Sequence, residues 1–156
     1  MPHTMIKPEA MMNTHGAVFT LVIPYFDASD MKALAPHASG NSHYLKSKAT
    51  KAHRELACLI SRRHMPSEPW TRCRLTLRYY KPSDRVLDHL NMAGRVKAII
   101  DGVVDAGLIP DDNDQYLEAG PQLSDIDKDN PRIELVFERL RGSWNNEAKQ
   151  KRKVKP

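Results

Sequence analysis

Apolar positions along the chain switch between two periods. "VFTLVIP", 18–24, is β-branched and apolar up to Pro24 and predicts a buried strand. "YFDASDMKALAPHASGN", 25–41, has turn residues throughout and reads as a loop. From Ser42 to His64 the spacing changes to threes and fours: Leu45, Ala49, Ala52, Leu56 and Leu59/Ile60. That is the stripe of an amphipathic helix. Its other side carries Lys46, Lys48, Lys51, Arg54, Arg62 and Arg63, and the prolines of "MPSEP", 65–69, stop it. "WTRCRLTLRYY", 70–80, alternates. Cys73, Leu75, Leu77 and Tyr79 point one way, and Arg72, Arg74, Thr76 and Arg78 the other, as in a half-buried strand. After the turn "KPSDR" the helical period returns, with Met92, Val96, Ile99/Ile100 and Val103 as the inner stripe. Asn91 is the expected N-cap and Gly107 the expected C-cap. "IPDDND" is a tight acidic turn, "QYLEAG" a short strand, and "RIELVFERL", 132–140, alternates again. The order β, α, β, α, (β), β, without internal repeats, predicts an α/β (α+β) domain: a small mixed β-sheet with two main helices.

At 156 residues the chain is one domain long and can bury a core. Residues 1–16, "MPHTMIKPEAMMNTHG", read as a flexible N-terminal leader without the apolar stretch of a secretory signal. Residues 17–142 form the folded unit, and 143–156 a basic C-terminal tail. The apolar runs are a few residues long, so no segment is expected to span a membrane. Two cysteines, Cys58 and Cys73, are too few for a disulfide framework or a zinc site, which points to a reduced, cytoplasmic setting. The net charge is +5, and the tail supplies most of it: Lys149, Lys151, Arg152, Lys153 and Lys155 stand against Glu147. Such a block contacts phosphates or an acidic surface, or is simply solvated.

Candidate chemistry gathers in "LDHLNMAGRVKAIIDGVVDAGLIPDD", 87–112. Asp88 precedes a helix, and Asp111 and Asp112 follow it. A straight helix of roughly fifteen residues is about 23 Å long, so Asp88 and Asp112 cannot meet from its opposite ends. They meet if Asp88 ends the preceding strand and the 107–112 turn folds back toward it, or else across a dimer. Lys97 has Gly94 one turn before it and Asp101 one turn after, close enough to pair. Carboxylates suit Mg²⁺, and a lysine beside such an ion stabilises a transferring phosphoryl group. Hydrolysis of a phosphodiester uses this combination. Plainer roles exist for each residue: Asp88 as favourable charge at a helix start, Asp111–Asp112 as turn chemistry, and Lys97, Asp101 and Asp105 as a solvated row.

The run Asp88-His89-Leu90-Asn91-Met92, then Lys97, then "DGVVDAGLIPDD", resembles the RusA-like Holliday-junction resolvases, small endonucleases found largely in phages and prophages. "NSHYLKSKATKAHRELA" and "RLTLRYY" also look like elements of that family, so the resemblance covers about residues 17–140. It implies a homodimer with a mixed sheet that binds four-way DNA junctions and cuts two opposed strands with Mg²⁺ or Mn²⁺. Carried over, Asp88, Asp111 and Asp112 would hold the metal, Lys97 would be the essential lysine, and Asn91 matches the family asparagine. Asp88, Lys97 and Asp112 are thus the expected catalytic residues. Lys46, Lys48, Lys51, Arg54, Lys149, Lys151, Arg152 and Lys153 are expected to contact DNA. The departure is Leu90, which stands where the family has its second aspartate and offers no lone pair to a hard cation. Asp84 or His89 is the available substitute. Leu90 also makes a non-cleaving protein that binds junctions, or a host protein, the alternative function.

Overall fold

The computed structural model describes residues 6–35 and 41–141. Its elements are β1 (Glu9–Met12), β2 (Val18–Pro24), α1 (Ala28–Ala33), α2 (Asn41–Ser61), a 3-10 turn (Arg62–His64), β3 (Cys73–Lys81), α3 (His89–Ala106), β4 (Leu117–Ile126) and β5 (Arg132–Arg139). The strands form one sheet in the order β1-β2-β5-β3-β4. β3 and β4 are parallel and every other pairing is antiparallel, so the sheet is mixed. The parallel pair exists because α3 carries the chain back between the two strands.

Alternation along three strands builds the inner face. Phe19, Leu21 and Ile23 of β2, Cys73, Leu75, Leu77 and Tyr79 of β3, and Ile133, Leu135 and Phe137 of β5 are all buried. Met92, Val96, Ile99 and Val103 of α3 join them in one core. Within that core Tyr79 donates its hydroxyl to Gln122 Oε1 at 2.8 Å, so its polar atom is satisfied. Cys58 and Cys73 are free and buried, and burial pushes the Cys73 thiol up to about 12. No helix among the described residues is long and apolar enough to cross a membrane.

Several expectations are corrected. Part of the expected leader is structured, because Glu9–Met12 form an edge strand on β2. The return is shaped by Asn13, whose Oδ1 accepts from the backbone of Ala17 and Val18, and by Gly16 at φ 63°. The expected loop at 25–41 contains α1, capped by Asp27, whose Oδ1 accepts from Asp30 N at 2.8 Å. Strand β4 extends well past "QYLEAG", despite Pro121. It is an edge strand, where a missing N–H is tolerated. Its register slips by one residue between Leu75 and Leu77, and a Cβ on Gly120 would lie 2.5 Å from the Leu75 carbonyl oxygen. Glycine is required there by that close approach.

Helix α2 is turned relative to its expected stripe. Leu45, Leu56 and Leu59 are exposed, while Ala57, Cys58 and Ser61 are buried. The reason is a close crossing with α3. A Cβ on Gly102 would stand 2.4 Å from Arg54 O and 2.7 Å from Ala57 Cβ. Small side chains let the two backbones approach, and the leucines are left on the outer flank. The inner stripe of α3 is as expected, with Met92, Val96, Ile99, Ile100 and Val103 buried.

Candidate functional site

Helix α3 starts earlier than its spacing suggests. Asp88, not Asn91, is the N-cap, with extended backbone at φ −86° and ψ 104°. Its Oδ1 accepts from the backbone of Leu90 at 3.1 Å and Asn91 at 3.2 Å, satisfying two donors of the first turn. Asn91 falls in that first turn, and its Nδ2 donates to Asp88 Oδ2 at 2.8 Å. Both oxygens of Asp88 are therefore engaged by the helix it begins. Leu90 lies in the same turn with 83% of its surface exposed, so the position where the resemblance expects a carboxylate faces solvent. Of the substitutes, His89 stacks on Tyr79 with ring centroids 5.8 Å apart, and Asp84 is exposed.

The other end of the helix leads into the acidic turn. Gly107 terminates α3 in the left-handed region at φ 107°, as expected, and its N–H returns to Val103 and Val104. Leu108 and Ile109 are then fully buried, and Trp70 N donates to Leu108 O at 2.7 Å. These anchors fix the turn against the core and bring Asp112 alongside α3. Lys97 Nζ donates to Asp101 Oδ1 and to Asp112 Oδ2, closing a bridge between the helix and the turn. Asp111 supports it. Its Oδ1 accepts from Asp112 N at 2.8 Å and its Oδ2 from Asn113 Nδ2 at 3.0 Å.

A second bridge lies one turn on. Arg54 of α2 holds Asp105 with both arms, Nε to Oδ2 at 2.6 Å and a terminal nitrogen to Oδ1 at 2.9 Å. This bidentate pair was not legible in the sequence, where Arg54 stood among the DNA contacts and Asp105 in a solvated row. Sequence separation hides it, because the partners lie on different helices. The charges act on one another across this face. The hydrogen bond to Asp105 leads in raising the Arg54 guanidinium, with Asp101 and Asp112 adding to it, and the bond from Arg54 lowers the Asp105 carboxyl. At Lys97 burial is the largest influence and opposes the ammonium; the bonds to Asp101 and Asp112 outweigh it, and the net shift is upward. The Lys97 bond in turn holds Asp112 below the ordinary carboxylate value, against the opposing effect of burial.

The structure thus unites Lys97, Asp112 and Asp101, and sets Asp88 apart. Asp88 precedes Lys97 by two and a half turns, roughly 13 Å of helical rise. Among the described residues no group of three or more His, Cys, Asp or Glu side chains is gathered as for a metal ion. As arranged, Asp88 bonds to its cap, Asp111 to its turn and Asp112 to Lys97. Of the expected DNA contacts, Lys48 borders the groove between α1 and α2 beside Asp30 and Lys32. Lys51 is exposed, 3.9 Å from Glu55, and Lys46 is half-buried. Lys149, Lys151, Arg152 and Lys153 lie outside the described residues. Comparison with family models and with curated proteins finds no match to this chain.

Proposed function

We propose that the protein is a metal-dependent, structure-selective endonuclease that binds four-way DNA junctions and cuts two opposed strands. The observation that carries this reading is the bridge from Lys97 to Asp112. The two residues are fifteen apart in sequence, and the resemblance assigns both to catalysis. A cation projecting from the middle of a fixed helix, beside carboxylates, suits stabilisation of a phosphoryl group. The proposed cofactor is Mg²⁺ or Mn²⁺, with Asp88, Asp111 and Asp112 as the residues that would hold it. Engaging them requires release of Asp112 from Lys97 and of Asp88 from its cap, or a set completed by a second subunit. The proposed assembly is a homodimer, and the exposed leucines of α2 are a surface such a contact would use. The proposed setting is the host cytoplasm, with a phage or prophage origin.

One observation favours a second reading. Leu90 is exposed where a carboxylate is expected, and both oxygens of Asp88 are occupied. A protein that binds branched DNA, or a host protein, without cutting follows from that arrangement. A labelled four-way junction, incubated in Mg²⁺ and again in Mn²⁺, separates the readings. Paired nicks in opposed strands support the endonuclease. A band shift without cleavage supports the binding protein, and cleavage by Leu90→Asp under the same conditions identifies the missing carboxylate as the reason. Absence of both binding and cleavage ends the DNA reading.

A further inference from the structure

We propose that Asp101 is a positioning residue for Lys97, an assignment that rests on the endonuclease reading for its functional meaning. Lysine is a flexible side chain, and Lys97 is 55% exposed, so nothing in its packing fixes its ammonium. Two carboxylates do so, and they differ in kind. Asp112 belongs to the acidic turn and is the group that a phosphate or a cation would engage. Asp101 belongs to α3 itself, one turn after Lys97.

The backbone beneath Asp101 is held firmly. Its neighbour Gly102 is buried against the backbone of Arg54 and the side chain of Ala57, where a Cβ has no room. One turn on, Arg54 grips Asp105 with two hydrogen bonds. That grip occupies Asp105 and, with Gly102, pins α3 to α2 immediately after Asp101. Asp101 is also the more enclosed partner, with its side chain 25% exposed against 55% for Lys97. When Asp112 is drawn away, the bond to Asp101 remains and keeps the ammonium beside the turn. Asp101 therefore acts through Lys97 and does not itself touch substrate.

The test compares Asp101→Asn, Asp101→Glu and Asp105→Asn with the parent. The first readout is the ¹⁵N signal of the Lys97 ammonium, whose protons persist in water when hydrogen-bonded and exchange away when free. Asp101→Asn should lose this signal while its melting temperature stays unchanged, Asp101→Glu should recover it, and Asp105→Asn should leave it in place. The second readout is junction cleavage in Mg²⁺. Asp101→Asn should lower kcat by about 10-fold or more with little change in KM, as expected when an interaction is lost chiefly in the transition state. An unchanged Lys97 signal in Asp101→Asn overturns the proposal, as does loss of that signal with kcat unaltered. If the parent does not cut at all, the endonuclease reading fails by itself, and the Lys97 signal still decides whether Asp101 holds the ammonium.

Discussion

Lys97 and Asp88 belong to one helix and one stretch of sequence, yet the fold treats them differently. Lys97 reaches out of α3 to a turn fifteen residues away, and Arg54 reaches in from α2 to Asp105. Asp88 bonds back to the first turn of its own helix. The first arrangement depends on tertiary packing, through Gly102, Leu108 and Ile109. The second is local and would form in any helix that began at Asp88. A residue whose bonds cross elements is placed by the whole fold, whereas a cap is placed by its neighbours. The two residues thus differ in what fixes them, and mutation can break that difference at either end.

The largest effect should follow from Gly102→Val. Its branched side chain would enter the space of Arg54 O and Ala57 Cβ, so α2 and α3 must part. Overpacking of this kind costs about 1–3 kcal/mol, and a denaturant titration should show at least that loss. The Arg54–Asp105 grip should weaken with it. A variant of parental stability would show that the crossing is looser than the distances require.

Next in size are substitutions at Lys97 and Asp88 themselves. Lys97→Met should lower junction cleavage by about 10²-fold, the loss expected for a group that stabilises developing charge. Its stability should change by less than about 1 kcal/mol, since the ion pair is partly exposed. Asp88→Ala should cost about 1 kcal/mol by removing the cap, whereas Asp88→Asn keeps a capping oxygen and should cost a few tenths. Cleavage measured on Asp88→Asn then isolates the charge from the cap. If it cuts as the parent does, Asp88 serves the helix alone.

What was legible in the sequence follows the same division. Period-two and period-3.6 patterns report burial on a sheet face or a helix face, so β2, β3, β5 and the inner stripe of α3 were readable. The Lys97–Asp101 pair was readable because it lies within one helix turn. The orientation of α2 was not, because the leucine stripe outweighed the small residues that Gly102 selects. β1 and β4 are edge strands with no fully buried position, so they carry little apolar alternation for a period to report. The resemblance names both Lys97 and Asp112 without pairing them, and the bridge between them comes from the fold. The separation of Asp88 from Lys97, by contrast, follows from their spacing on one helix.

A smaller effect is expected from Leu90→Asp. Leu90 is exposed, so removing it leaves no cavity. A carboxylate in the first turn of α3 also meets the positive end of the helix, which favours it by about 0.3–1 kcal/mol. The variant should thus be as stable as the parent or slightly more so, by thermal unfolding. A clear loss would mean that Leu90 is covered by a second copy or another partner, which analytical ultracentrifugation of parent and variant would reveal.

The smallest expected effect is a pH dependence that belongs to Lys97 and Asp112. The Asp112 carboxyl is lowered in the folded protein, chiefly by its bond from Lys97. A lowered carboxyl stabilises the fold above the unfolded value, near 3.9, and its contribution is lost as pH falls through the folded value. Lys97 is raised, so its contribution is complete below the unfolded value, about 10.4, and is lost as pH rises through the folded one. The bridge should accordingly be at full strength between about pH 5 and pH 10, and fade on both sides. Asp112→Asn should be less stable than the parent across that window by under about 1 kcal/mol, because the pair is partly exposed and screened. The difference should shrink as the pH falls through the folded value of Asp112, below which both proteins carry a neutral side chain at this position. A gap that persists at low pH would assign the effect to the shape of the turn, through Asp111 and Asn113, rather than to the charge on Asp112.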